Sequence, residues 1–248
     1  MKRLLLLLVV VVNCVTSVPL KSSMERGLRG NPWENSGKFQ GDMVFSRKRN
    51  GLIDNYYRWP YGKICYTISP GFTQPQVDHI KNVYASGFSG TCIQAVECQD
   101  CCNGDYVYIT NNPEDGCYAI VGRVGGPQQL NLALNCLDAG TILHEMTHAL
   151  GFWHQQSTPE RDDYVTIYLE NVEDGKEGNF DKYGSDYVSS FDQGYDYCSI
   201  MHYSQTAFSK NGQPTVVPKW QTSCEYEIGY AQALSAVDKL KINAMYQC

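Results

Sequence analysis

Histidine is scarce in this sequence, with five residues in a chain of 248. The sequence also has no internal repeat, no low-complexity stretch and, beyond residue 50, no run of basic residues, and its formal net charge is −6. A chain of this charge offers no electrostatic attraction to nucleic acid or to an anionic membrane, so we exclude both as partners. No apolar run after residue 17 is long enough to span a bilayer, so no stable membrane anchor is expected.

Three of the five histidines lie in one stretch, HEMTHALGFWH, at residues 144–154. On a helix, His144 and His148 lie four residues apart on one face, where each can direct a ring nitrogen at the same metal ion. His154 fills a third position from beyond the helix, which ends at Gly151 because glycine readily adopts the left-handed conformation. Three neutral imidazoles with one open position are typical of a catalytic zinc site, so we expect one Zn²⁺ per chain.

Glu145 follows the first histidine and is offset from it around the helix. Its carboxylate can approach a metal-bound water without occupying a coordination position, as a general base requires. The plainer interpretation is a helix that carries histidines by chance, since the short pattern HExxH recurs accidentally in long proteins. The third histidine and the glycine favour the zinc site.

The first 17 residues predict a secretory signal peptide. They begin with Lys2 and Arg3, continue as a short apolar run and end in small residues. A retained N-terminal anchor is the alternative, but the apolar run is too short to span a bilayer. Of the eleven cysteines, Cys14 would leave with the signal, and the other ten form an even set that favours disulfides in an extracellular protein.

Residues 18–49 have too few apolar side chains to build a core of their own, and they end in the basic triplet Arg47-Lys48-Arg49. In a secreted protein this triplet indicates a processing site, with cleavage after Arg49 and a new N-terminus at Asn50; a solvated loop is the alternative. The remaining residues, 50–248, suit one domain or two lobes that share a cleft.

The apolar patterns predict an α+β fold. Period-two or short apolar runs predict four strands, at 64–68, 106–110, 118–121 and 130–134. Helical spacing predicts helices over 74–88, over the histidine stretch from near Asp138 or Thr141, and over 235–246 with Ser235 as a cap. Between His154 and the last helix we expect little regular structure.

A further signal is SIMHY at residues 199–203, which by itself places only a Met and a Tyr beyond the histidine helix. Together with HEMTHALGFWH and its continuation RDDYV at 161–165, it resembles the astacin family of zinc metalloendopeptidases, within the metzincins. The resemblance runs from Phe39 to Cys248. It implies a two-lobed protease with a twisted, mostly parallel N-terminal sheet, the zinc helix, and a largely irregular C-terminal lobe that ends in a helix.

The resemblance also implies roles for individual residues. Met201 would lie beneath the metal, and Tyr203 would be an additional zinc ligand at rest that swings away to stabilise the oxyanion. The stretch FQGD at 39–42 resembles the family's FxGD, whose aspartate, here Asp42, caps the zinc in the zymogen. Residues 18–49 would therefore be a propeptide and 50–248 the catalytic domain.

The implied function is a secreted, monomeric zinc endopeptidase that is made as a zymogen and released by an activating protease. It would hydrolyse protein or peptide substrates with a zinc-activated water, and Glu145 would be the general base. The alternative is a secreted, disulfide-rich zinc-binding protein without peptidase activity. Glu145 favours the enzyme, because a structural zinc site has no need of a carboxylate at that position.

The family has two core disulfides, which here imply Cys92–Cys248 and Cys117–Cys136. Cys198 and Cys224 both follow the zinc helix and are candidates to pair. Four cysteines then remain for two bridges of open connectivity, namely Cys65, Cys98, Cys101 and Cys102.

The chain departs from the family pattern directly after the third histidine. The family usually has a Glu there that helps to anchor the buried new N-terminus, whereas this chain has Gln155. A neutral amide can accept a hydrogen bond but cannot form an ion pair with an ammonium group, so we expect a looser dock for the new N-terminus.

Overall fold

The structure, a computed structural model, describes residues 30–45, 55–98, 104–185, 187–224 and 228–248. The predicted signal peptide, the processing site at Arg49 and Asn50, and Cys101 and Cys102 lie outside the described residues.

The described residues form eight strands in two sheets. The strands are β1 (Met43–Val44), β2 (Lys63–Ile68), β3 (Gln94–Glu97), β4 (Tyr106–Thr110), β5 (Cys117–Ile120), β6 (Pro127–Leu132), β7 (Val165–Ile167) and β8 (Val216–Pro218). The first six form one sheet in the order β1-β5-β6-β4-β2-β3, in which all pairs are parallel except β5 with β6. β7 and β8 form a separate antiparallel ribbon. The prediction of a mostly parallel sheet is confirmed.

Three α-helices accompany the sheets within the described ranges, namely α1 (Gln74–Gly87), α2 (Ala139–Leu150) and α3 (Ala236–Tyr246). The last two each begin at a residue whose side chain satisfies a free backbone N–H group of the first turn. Asp138 accepts a hydrogen bond from the N–H of Thr141 at the start of α2, and Ser235 accepts one from the N–H of Asp238 at the start of α3. Both positions agree with the sequence prediction.

Helix α2 is the central element of the core. It packs against β5, β6 and α1, and every residue from Gly140 to Leu150 is buried. A helix buried on all sides has no solvent face, so its polar side chains must be satisfied inside the protein. The placement of three of these side chains forms the site described below.

The strand prediction had the wrong bounds for one strand and missed four others, namely β1, β3, β7 and β8. The strand predicted at 130–134 begins earlier, at Pro127, and ends at Leu132, and Leu134–Cys136 is a short 3-10 helix. Proline is tolerated at the first position of a strand, where a missing N–H breaks no ladder. β3 was not predicted because its four residues, QAVE, are half-buried or exposed and carry no strong apolar pattern.

Beyond α2 the chain is irregular, with short 3-10 helices and the β7–β8 ribbon before α3, as expected. Disulfides connect Cys92 with Cys248, Cys117 with Cys136, and Cys198 with Cys224. The first of these bonds the end of the chain to the residues just before β3. Cys65 and Cys98 are also disulfide-bonded.

Among the described residues, none of the helices has the length and apolar character needed to cross a membrane.

Candidate metal centre

Helix α2 and the turn that follows it position three histidines. His144 lies in the middle of α2, and His148 lies one turn further on, in the last turn. The helix ends at Gly151, whose φ of 111° is in the left-handed region and whose N–H donates to the carbonyl of His148. The chain then reverses so that His154 faces the other two.

The three imidazoles converge on the carboxylate of Asp42. Its Oδ2 lies 3.0 Å from Nε2 of His144, and its Oδ1 lies 3.4 Å from Nε2 of His148 and 3.2 Å from Nε2 of His154. The four ligand atoms lie within 4.8 Å of one another, and all four residues are buried. The site therefore assembles one carboxylate and three ring nitrogens around a single point, although Asp42 is 102 residues from His144 in sequence.

The opposite ring nitrogens fix the tautomers. Nδ1 of His144 lies 2.7 Å from the carbonyl oxygen of Ile200, and Nδ1 of His148 lies 2.7 Å from that of Phe152. A carbonyl can only accept, so each Nδ1 carries a proton, and in the neutral form of either ring Nε2 presents a lone pair to the centre. Carbonyl partners of this kind also hold the ring orientation of metal-binding histidines.

The centre fits a metal ion. Nε2 of His148 and Oδ1 of Asp42 face each other in the buried site, yet neither has a hydrogen-bond partner within the described part of the chain. Two opposed acceptors without a proton between them are stabilised by a cation placed at their meeting point. Three imidazoles and one carboxylate are a ligand set that zinc accepts, and the site could hold one zinc ion.

Burial controls the protonation of these groups. It lowers the pKa of His144, and it lowers the pKa of His154 to about 3, which keeps both rings neutral as metal ligands require. Burial also raises the pKa of Glu145 well above its ordinary value, and the charge of Asp42 adds to the shift. Neither carboxylate oxygen of Glu145 has a hydrogen-bond partner among the residues that the structure describes, although the side chain is completely buried.

The loop at 199–203 lies against the site. The carbonyl of Ile200 accepts the hydrogen bond from His144, and Met201, which is buried, accepts a hydrogen bond on its carbonyl from the N–H of Gln155. Tyr203 is fully buried, with its ring centroid 4.6 Å from that of His154. Its hydroxyl donates to the carbonyl of Gln40 at 2.7 Å, so in this form the phenol is bonded to the segment that carries Asp42.

That segment, residues 30–45, is held at several points besides Asp42. Trp33 stacks on His144, with ring centroids 4.0 Å apart. Oε1 of Gln40 accepts hydrogen bonds from Nδ1 of His154 at 3.1 Å and from the hydroxyl of Ser157 at 3.0 Å. A Cβ at Gly41 would lie 3.0 Å from the carbonyl oxygens of the preceding turn, and its φ is 96°, so only glycine fits there.

Glu34 also connects the 30–45 segment to the second half of the chain. Its buried carboxylate accepts hydrogen bonds from the N–H of Ser204 at 2.8 Å and from the Ser204 hydroxyl at 3.1 Å. Asn31, which also bonds to Glu34, donates to the carbonyl of Gly229 at 2.6 Å. Neither Glu34 nor Trp33 was predicted from the sequence, since an isolated Trp-Glu pair in a polar stretch carries no local signal.

A model of the peptidase family described as Astacin matches residues 51–247. The chain belongs to the astacin family. It is 43% identical over 213 residues to zinc metalloproteinase nas-15 of Caenorhabditis elegans, a match that covers 86% of this chain and 36% of that protein. Zinc metalloproteinase nas-13 of the same organism is 40% identical over 205 residues, which are 83% of this chain and 44% of that protein. The chain thus spans less than half the length of these two curated relatives.

A solved zinc-protease structure is also similar to this chain. High choriolytic enzyme 1, a hatching enzyme zinc-protease from the medaka fish Oryzias latipes, is 33% identical to this chain. The two structures superimpose with a TM-score of 0.68 over 77% of this chain and 93% of the other.

The astacin-family departure at Gln155 has a structural counterpart. Lys241 on α3 is buried, and its ammonium donates to Oε1 of Gln155 at 2.6 Å. Burial lowers the pKa of Lys241, while the nearby Asp238 carboxylate acts in the opposite direction. The amide oxygen of Gln155 therefore already accepts a hydrogen bond from a buried lysine of the same chain.

Proposed function

We propose that this chain is a zinc endopeptidase that hydrolyses protein or peptide substrates. The observation that carries the proposal is the convergence of three imidazoles, from His144, His148 and His154, on one buried point, with the buried carboxylate of Glu145 on the same helix as the first two. Zinc at such a site lowers the pKa of a bound water toward neutrality and polarises the scissile carbonyl.

Glu145 is the proposed general base. Its position on α2, directly after a ligand histidine, keeps the carboxylate next to the metal ligands without making it one of them. Departure of Asp42 removes a charge that raises the pKa of Glu145, and the ionised carboxylate then takes a proton from the attacking water and gives that proton to the leaving amine. Within the described ranges, neither oxygen of Glu145 has a hydrogen-bond partner. Both oxygens are therefore free to accept a proton from a water molecule, a role that a purely structural zinc site would not need.

Tyr203 is the proposed donor to the oxyanion. Burial and the charge of Asp42 raise the pKa of Tyr203 well above its ordinary value, so the phenol keeps its proton and can donate it in a hydrogen bond. Its hydroxyl is now bonded to Gln40 and becomes available only when residue 40 leaves the site. A donor of this kind is typically worth about 3 kcal/mol in the transition state.

The described form is the proposed zymogen. Asp42 occupies the position that a reacting water needs, and the 30–45 segment covers the site from Trp33 to Gln40. We propose that an activating protease cuts after Arg49, that residues 18–49 are the propeptide and that 50–248, starting at Asn50, form the catalytic domain. Residues 1–17 would direct secretion, and the three described disulfides suit an extracellular enzyme, which we propose is a monomer.

The test is hydrolysis of casein by the chain after cleavage at Arg49, with zinc content measured on the same sample. We expect one zinc per chain and a protease activity that a chelator abolishes and added zinc restores. A zinc-loaded, cleaved chain that leaves casein intact would instead support the alternative of a zinc-binding protein without peptidase activity.

A further inference from the structure

An aromatic cluster lies beside the metal centre. Trp153, which directly precedes His154, has its ring centroid 4.6 Å from that of Tyr183. Two rings of the 30–45 segment pack against this pair: Phe39 at 5.9 Å from Trp153 and 6.1 Å from Tyr183, and Phe45 at 4.9 Å from Trp153. All of these separations are within the range of favourable aromatic pairs.

The two rings from the body of the protein are fixed relative to the site by the backbone. The N–H of Tyr183 donates to the carbonyl of Ser157 at 2.9 Å, and the hydroxyl of Ser157 shares the acceptor Gln40 Oε1 with His154. Trp153 is positioned by the same turn that places His154. We call Trp153 and Tyr183 the aromatic wall.

The 30–45 segment covers the aromatic wall only in part and leaves one of its polar groups without a hydrogen bond within the described residues. Phe39 remains 41% exposed while it packs on the wall. The indole Nε1 of Trp153 is buried and has no hydrogen-bond partner in the described part of the chain. A buried N–H without a partner is rare, and an indole donor next to apolar surface suits a ligand with both a ring and an acceptor.

We infer that the aromatic wall is a substrate subsite that selects peptides with an aromatic side chain within a few residues of the scissile bond. This inference rests on the proposed function, because the wall becomes accessible when residues 39–45 leave. Before cleavage, Phe39 and Phe45 occupy this subsite, and a substrate ring takes their place after the segment has left. The indole N–H of Trp153 donates to a backbone carbonyl of the same substrate.

The test uses the full chain cut after Arg49, with the cutting protease removed, and peptides that differ only by Phe or Ala at one position near the cleaved bond. For the wild-type sequence we expect kcat/KM to be roughly tenfold or more higher for the Phe peptide, a ratio typical of one large apolar contact. Trp153→Ala and Tyr183→Ala should each lower this ratio toward one, mainly through the Phe peptide. Trp220→Ala is the matched control, because Trp220 is a surface tryptophan that is 65% exposed.

Binding provides a second measurement that needs no turnover. In the cut Glu145→Gln chain, calorimetry should give a lower Kd for the Phe peptide than for the Ala peptide, and Trp153→Phe should keep most of this difference. Equal values for the two peptides, in both binding and cleavage, would overturn the subsite while leaving the protease proposal intact. Failure of the zinc-loaded wild-type chain to cleave any peptide would overturn both.

Discussion

The indole of Trp33 lies over the imidazole of His144, with ring centroids 4.0 Å apart and an angle of 21° between the planes. A proposed metal ligand is thus covered by a residue that lies nine positions before Asp42. The neighbouring Glu34 is bonded to Ser204, which directly follows Tyr203. The 30–45 segment is therefore held by two separate sets of contacts, one at the metal position and one beside it.

The first prediction concerns latency. Asp42→Ala in a chain whose basic triplet has been removed to prevent cleavage should show protease activity that the matching wild-type precursor lacks, because the competing carboxylate is gone. The activity should stay below that of the cut chain, since Trp33 still covers His144. Initial rates on casein measure this.

Adding Glu34→Ala to Asp42→Ala should raise the activity of the uncut chain further. It removes two hydrogen bonds between a buried carboxylate and Ser204, each worth about 1.5–3 kcal/mol when one partner is charged. If the uncut wild-type chain, the single variant and the double variant are all inactive, Asp42 is not the residue that keeps the precursor inactive.

The second prediction concerns the general base. Glu145→Gln should keep zinc and the fold, because Glu145 is not among the ligands that converge on the site. Activity of the cut chain should fall by about 10²–10⁴-fold, the usual contribution of a positioned base. Zinc content and casein hydrolysis should be measured on the same preparation. A hydrolysis rate near that of the wild-type chain would show that Glu145 is not the general base.

The third prediction concerns Tyr203. Tyr203→Phe should retain zinc through the three histidines and lose mainly kcat, by about 10²–10³-fold, because a hydroxyl that acts in the transition state is lost. Steady-state kinetics of the cut chain give kcat and KM separately. Loss of stoichiometric zinc in this variant would instead show that the phenol is an essential ligand.

Burial of Lys241 beside a neutral amide gives the fourth prediction. Lys241→Met keeps most of the side-chain volume but leaves Oε1 of Gln155 without its donor, at a cost of about 1–3 kcal/mol. The Tm of the cut chain should fall by a few degrees. Lys239→Met is the control, because Lys239 is on the same helix but less buried, and it should change the Tm little. Equal Tm shifts for the two variants would show that loss of the Gln155 contact is not the cause.

The local parts of the site could be predicted from the sequence, and the distant contacts could not. His144, His148 and His154 follow from spacing along one helix and one turn, and the caps at Asp138 and Ser235 are equally local. The bond between Glu34 and Ser204 joins residues 170 positions apart, and no pattern within either stretch indicates it. β1 has two residues and exists only because β5 offers it an edge, so its pairing depends on tertiary structure.

The last prediction concerns the N-terminus that cleavage after Arg49 would create. An ammonium group that docked near Gln155 would need an acceptor there, but Oε1 of Gln155 already accepts from Lys241 at 2.6 Å, and a second cation at the same oxygen would be repelled. Forms of the protein that start at Asn50 and at Leu52 should therefore have similar Tm values in thermal denaturation. A form that carries Gln155→Glu provides the contrast, since a carboxylate can pair with Lys241 and still attract a second ammonium. A large loss of Tm on shortening the Gln155 form would show that the terminus is tightly held despite the neutral amide, and that Lys241 moves aside to admit it.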